Sequence, residues 1–353
     1  MLKGIWLILL TTLTLWIAAG CTQAARPEII TPPISDQTSQ EWKISTPQAQ
    51  NIDPVGLAKA LQDVKAQSLK LDSLLVIRHG YIVSETYYPP NDQNTRHELY
   101  SVTKSFTSTL VGIAVDRGYI DSLQHPVLDY FPGLVTANPD ETKNTMTLEH
   151  LLTMSSGLDW QEGDPAYRAM ATSSNWVSYV LNIPMRGLPG SQFNYCTGCS
   201  HVLSAVLQKT AGAKTPAFAN QALFAPLGIT NYRWDTDNTG VPIGGWGLQM
   251  TPRDMAKLGR LFLHQGNWAG RQIVSPEWVK TATQSHIKAD DTLNYGYQWW
   301  INPALGTYSA RGRYGQTIYV DPAKSLIVVV TAHEENDQPI YKIIEQDILS
   351  AVK

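Results

Sequence analysis

The chain of 353 residues reads as an α+β protein, an antiparallel sheet assembled from opposite ends of the sequence, flanked by helices and interrupted by an all-helical lobe. Three observations predict this. Residues 71–88 are two β-type runs joined by His79-Gly80, a pair suited to a tight hairpin turn. Residues 295–302, 306–310, 317–321 and 326–332 are further strand-like runs separated by Gly, Pro and Asn. Between these ends, 104–117, 147–154, 175–181, 201–209, 252–264 and 276–284 carry apolar residues at helical spacing. With 43% hydrophobic residues the chain has ample material for one large domain or two closely packed lobes, and it contains no internal repeat.

The N-terminus has a different organisation. Residues 1–20 hold one cation, Lys3, then an uncharged apolar stretch over 4–17, then Ala18-Ala19-Gly20 directly before Cys21. This is the layout of a secretory signal, and about 14 apolar residues are short for the roughly 20 that span a bilayer as a helix. Ala-Ala-Gly-Cys resembles the bacterial lipobox, which implies cleavage before Cys21, lipidation of its thiol and a mature chain tethered to a membrane by acyl chains. Thr22, where the retention rule of such lipoproteins has Asp, implies the outer membrane. Residues 21–50, rich in Pro, Thr, Ser and Gln, read as a flexible tether, which leaves 51–353 as the folded domain.

Charge and missing motifs exclude several functions. Lys+Arg number 27 against 30 Asp+Glu, with no basic run, so nothing marks a nucleic-acid surface. No H-E-x-x-H, no paired His/Cys ligand spacing, no G-x-G-x-x-G after a strand and no phosphate loop occurs, so no metal or cofactor is indicated. The nucleophile elbow G-x-S-x-G is also absent, since Gly198-Cys199-Ser200 continues with His201-Val202.

Ser101-Val102-Thr103-Lys104 is an S-x-x-K motif, matched elsewhere only in pattern by 285–288 and 350–353. Ser101 stands where a polar stretch gives way to an apolar helix, at an N-terminus whose partial positive charge favours a developing anion. Lys104, three residues on, faces the same way. As a neutral amine it accepts the serine proton, and partial burial shifts its pKa in that direction. Taken alone, the pair is equally an N-cap and a solvated helix charge.

The surrounding sequence resembles the serine β-lactamase-related hydrolases, a superfamily of class C β-lactamases, D-alanyl-D-alanine carboxypeptidases, penicillin-recognising esterases and 6-aminohexanoate-oligomer hydrolases. The similar stretches are SVTKSFTSTLVGIAVDRGYI from Ser101, MTLEHLLTMSSGLDW from Met146, FNYCTGCSHVLSAVLQ from Phe193, GGWGLQMTPRDMAKLGRLFL from Gly244 and ARGRYGQTIYVDP from Ala310. The resemblance implies a β-lactamase/transpeptidase-like fold with the active site in the cleft between its lobes. It makes Ser101 the nucleophile and aligns the family's Y-x-N with Tyr195-Cys196-Thr197, so that Tyr195 shares the general-base role as a phenolate favoured by the lysine cation. Thr197 stands where the family has a substrate-binding Asn. The K-T-G or H-T-G motif aligns with Ala310-Arg311-Gly312. The glycine is kept for close substrate approach, the Lys or His is lost, and Arg311 or Arg313 offers a forked donor in its place. An oxyanion hole then combines the N–H groups of Ser101 and Arg313.

Cys196 and Cys199 flank Tyr195 as a C-x-x-C, either a disulfide bracing that loop or two buried thiols. Trp160 and Trp246 follow cleft-edge motifs and are candidate lining for an apolar substrate pocket. Together these features imply a serine hydrolase of ester, amide or small peptide bonds acting through an acyl-enzyme, of the esterase or 6-aminohexanoate-oligomer-hydrolase type. The alternatives are a penicillin-recognising β-lactamase or D,D-peptidase acting on cell-wall peptides, and a non-catalytic binding lipoprotein with the same fold. The second of these has no use for Ser101, Lys104 and Tyr195 together.

Overall fold

The structure, a computed structural model, describes residues 1, 42–134, 138–212 and 215–353. The expected signal segment after Met1, the expected lipidation site Cys21 and the expected tether up to residue 41 lie outside the described residues.

The N-terminal hairpin forms where the sequence predicts it. Strands β2 (Leu71–Arg78) and β3 (Tyr81–Tyr87) are joined through His79 and Gly80 at φ 50° and 81°, the paired left-handed conformations that match the twist of a hairpin. Preceding them is β1 (Lys43–Ile44), and the chain later adds β4 (Ile287–Lys288), β5 (Asn294–Tyr295), β6 (Trp300–Asn302), β7 (Thr307–Gly312), β8 (Gln316–Asp321) and β9 (Leu326–Ala332). Their order in space is β1-β3-β2-β9-β8-β7-β6-β5-β4, antiparallel throughout except for the parallel pair β1-β3. The two ends of the chain meet at β2 and β9, from Arg78 opposite Leu326 to Leu71 opposite Ala332.

Two sequence expectations shift. The run over 295–302 is broken into β5 and β6, because Gln298 takes a φ of 63° and turns the chain back on itself. The tether expected to reach residue 50 ends earlier. Trp42 is buried with its indole N–H donating to the Arg253 carbonyl at 3.2 Å, and β1 adds to the sheet edge.

Both sheet faces are covered, so β2 and β9 are buried along their whole length. Alternate residues still separate cleanly. Leu74, Val76, Val328 and Val330 pack on helix α1 (Pro54–Ala66) and the C-terminal helical segment over 338–351. Leu75, Ile77, Ile327 and Val329 pack toward the inserted helices. Asp53 caps α1 by accepting from the N–H groups of Val55 and Gly56, and Pro54 occupies its first turn.

The inserted lobe is built around α2 (Thr103–Asp116) and α4 (Thr197–Thr210), with α3 (Asp164–Thr172) at its rim; α5 (Pro252–Leu263) packs on β8 and β9. Residues 103–114 of α2 are all buried, polar ones included, which makes it a central helix rather than an amphipathic one. Its hydroxyls find carbonyls: Ser105 donates to Gln298 at 2.7 Å and Thr107 to Gly244 at 2.9 Å. Helix α4 begins four residues before the predicted 201, because Cys196 serves as its N-cap, the sulfur accepting from the Cys199 N–H at 3.0 Å.

Candidate active site

Ser101 lies in a single 3-10 turn, Tyr100–Val102, that leads directly into α2. Tyr100 before it has a φ of 45°, and Tyr314 on the facing wall has a φ of 65°. The two rings meet edge to face at 5.3 Å. Left-handed non-glycine residues cost of order 1 kcal/mol each and persist where surrounding bonds fix them. Here the Glu98 carboxylate does so, accepting from the Tyr100 N–H at 3.2 Å and the Gly247 N–H at 2.8 Å.

Lys104 is 1% exposed, and its Nζ donates to Ser101 Oγ at 2.8 Å and to the Gly245 carbonyl at 3.0 Å. The Tyr195 ring lies 4.8 Å from the same nitrogen. Burial lowers the Lys104 pKa to about 8, against an opposing pull from the charge of Glu162. At pH 7 roughly a tenth of the amine is therefore neutral, against well under a thousandth for an ordinary lysine. Tyr195 behaves in the opposite way to the sequence expectation. Its burial drives the phenol far above its ordinary range, and hydrogen bonds with Ser101 and Tyr295 offset only part of that. A phenolate at Tyr195 is disfavoured, so the neutral lysine is the better acceptor and Tyr195 a neutral phenol in the same hydrogen-bonded group.

These three residues converge at a cleft of about 700 Å³, of whose lining Ser101, Tyr195, Gly312, Arg311 and Arg313 are part. Gly312, at the end of β7, adopts extended dihedrals open to any residue, so space is what requires it. A Cβ there would stand 3.2 Å from the Ser101 nitrogen and 2.4 Å from the Leu99 carbonyl oxygen. The room beside the Ser101 N–H thus exists because residue 312 has no side chain. Arg313 follows it, and its guanidinium pairs with Asp164 of α3 at 3.1 Å, both side chains being exposed. Arg311 lies 3.8 Å over the Tyr341 ring, its Nε donating to Ser309 at 2.8 Å, and it forms no ion pair among the described residues.

The remaining sequence candidates sit differently. Thr197 does not line the cleft; it is buried, and its Oγ1 donates to Glu162. Trp160 and Trp246 do not line it either. Trp160 is 2% exposed and packs where Gly198 leaves room, and Trp246 stacks on Trp176 at 5.7 Å. Both back onto Tyr167, which does reach the cleft. Cys196 and Cys199 form a buried disulfide directly behind Tyr195. Sequence reading missed Glu162 and Tyr167. The only local signal was Asp164-Pro165, a helix-start pair that marks α3 and so the element carrying Tyr167.

The family model described as Beta-lactamase matches residues 58–353. The chain belongs to the beta-lactamase family. Among its relatives is a 6-aminohexanoate-dimer hydrolase of Paenarthrobacter ureafaciens, 27% identical over 297 residues, covering 77% of this chain and 76% of that one. Esterase EstB of Burkholderia gladioli is 26% identical over 209 residues, covering 52% and 53%. Among solved structures, EstCE1, described as a hydrolase with promiscuous acyltransferase activity, superimposes with a TM-score of 0.69 at 21% identity over 84% of this chain and 98% of its own. This beta-lactamase-family protein is a serine hydrolase, with the β-lactamase/transpeptidase-like fold that the sequence implies.

Proposed function

We propose that the protein cleaves ester or small amide bonds through an acyl-enzyme on Ser101, as an esterase or 6-aminohexanoate-oligomer-hydrolase-like enzyme. The observation that carries this is the buried Lys104 amine, 2.8 Å from Ser101 Oγ with a pKa near 8 and the Tyr195 ring beside it. Neutral Lys104 takes the serine proton as Oγ bonds to the carbonyl carbon. Tyr195 and Lys104 then return that proton to the departing alcohol or amine, and water releases the acid by the reverse path. The N–H groups of Ser101 and Arg313 hold the oxyanion in the space kept open by Gly312. The Arg311 guanidinium, which forms no ion pair among the described residues, is suited to an acidic end of the substrate.

A β-lactam or D-Ala-D-Ala substrate is the weaker fit. Ala310 stands where a Lys or His would hold its carboxylate, and Thr197 is turned away toward Glu162. The test pairs a fluorophosphonate probe with a fluorescent penicillin, on wild type and Ser101→Ala. Serine-dependent labelling by the fluorophosphonate alone is expected. Serine-dependent labelling by both supports the penicillin-recognising reading, and labelling by neither supports a binding protein.

We further propose, from the residues before Cys21, that the mature chain is a lipoprotein facing the periplasm from the outer membrane. Metabolic labelling with a fatty acid should be lost in Cys21→Ala, and label retained by that variant would contradict the anchor.

A further inference from the structure

Glu162 is part of the cleft lining, and each of its oxygens accepts two hydrogen bonds. Oε1 accepts from the hydroxyls of Tyr167 and Thr197, and Oε2 from the Trp160 indole N–H and from the Thr197 backbone N–H, the latter at 3.1 Å. Four donors fill a carboxylate's lone-pair positions, so this group is not offered to substrate. What it holds is the segment 195–197. Thr197 opens α4, Tyr195 is two residues before it, and the Thr197 side chain packs on Gly245, whose carbonyl receives the Lys104 amine.

We propose that Glu162 is a positioning residue for proton transfer at Ser101: it clamps the turn carrying Tyr195 against the cleft wall and sets a negative charge in the field of the Lys104 amine. This rests on the acyl-enzyme reading given above. The groups around Lys104 make Glu162 the charge that matters. The amine faces Ser101, the Gly245 carbonyl and the neutral Tyr195, with Tyr295 and Tyr167 behind that phenol and the Arg313–Asp164 pair neutralising itself at the exposed rim. Among the described residues Lys104 makes no ion pair, and Glu162 is the acid that acts on it. The sign follows. The carboxylate favours the protonated amine, so removing its charge makes Lys104 easier to deprotonate.

The test is the pH dependence of kcat/KM for a p-nitrophenyl ester, with wild type, Glu162→Gln, Glu162→Ser and Tyr167→Phe compared. Glu162→Ser leaves room for water to satisfy the Trp160 and Thr197 donors if the amide of Gln is not tolerated. Both charge-removing variants should move the acidic limb to lower pH and lower the plateau kcat about 10- to 100-fold through loss of positioning. Tyr167→Phe, which keeps the charge, should lower kcat with the limb unmoved. A folded Glu162→Gln or Glu162→Ser whose acidic limb coincides with wild type overturns the proposal. Ester hydrolysis surviving in Ser101→Ala would instead overturn the acyl-enzyme reading beneath it.

Discussion

At the scale of single residues, the site is organised by one buried amine. Lys104 has two oxygen acceptors and an aromatic face, and its desolvation weakens the fold while lowering its pKa to about 8. Folded-state pKa lies below the unfolded value, so the protein gains stability as pH rises through about 8 toward the ordinary lysine range. Lys104→Met, which removes the buried cation at similar volume, should abolish hydrolysis yet stabilise the protein by roughly 2 kcal/mol, a few degrees of Tm, at neutral pH. A thermal melt showing marked destabilisation would mean that the amine is fully compensated where it sits. Gly312 makes the complementary case. Gly312→Ala puts a methyl 3.2 Å from the Ser101 nitrogen, and kcat should fall about 100-fold or more, with substrate labelling of Ser101 slowed alike. Ser101 and Lys104 could be read from sequence because their relation is local, three residues apart across the turn that leads into α2. Glu162 could not, since its bonds to Trp160 and Tyr167 are local but the two that tie it to the site come from Thr197, 35 residues away, and only the fold brings that residue to it.

At the scale of elements, α4 carries the turn of Tyr195 at its start and a buried His–Asp hydrogen bond one turn further in. His201 Nε2 lies 3.0 Å from Asp237 Oδ2, with both side chains almost wholly buried. Burial alone would raise the Asp237 pKa, but bonds from His201, Val241 and Thr239 bring it down to about 2. The stabilisation is therefore complete above the ordinary Asp value near 3.9 and is lost as pH falls toward 2. Asp237→Ala leaves a buried imidazole without its partner and should cost about 3 kcal/mol by urea denaturation at pH 7. A loss under 1 kcal/mol would show that His201 finds another acceptor. The helical periodicities of α2 and α5 place both elements to within a residue of where they fold. Helix α4 starts before its apolar periodicity because a cysteine, an unusual N-cap, takes the place of a Ser or Asp.

At the scale of the whole molecule, the cleft depends on a sheet closed by the two ends of the chain. β2 and β9 are neighbours although some 250 residues separate them, and the helical segment over 338–351 seals one face against α1. A chain ending at Asp337 loses Ile343, Ile344 and Ile348 from that face, and should be recovered unfolded or aggregated, by circular dichroism and gel filtration. A soluble, active product would contradict this. The strand runs at both ends made the sheet legible in sequence. Helix α1 was not, because its buried face is only Leu57, Ala60 and Val64, too thin an apolar stripe to stand out. The central proposal is that Ser101 is the nucleophile. The most direct measurement is peptide mapping by mass spectrometry after brief incubation with an activated ester quenched in acid. A single acyl adduct confined to the peptide containing Ser101, and absent from Ser101→Ala, is expected. An adduct on another residue, or turnover that persists without Ser101, would contradict it.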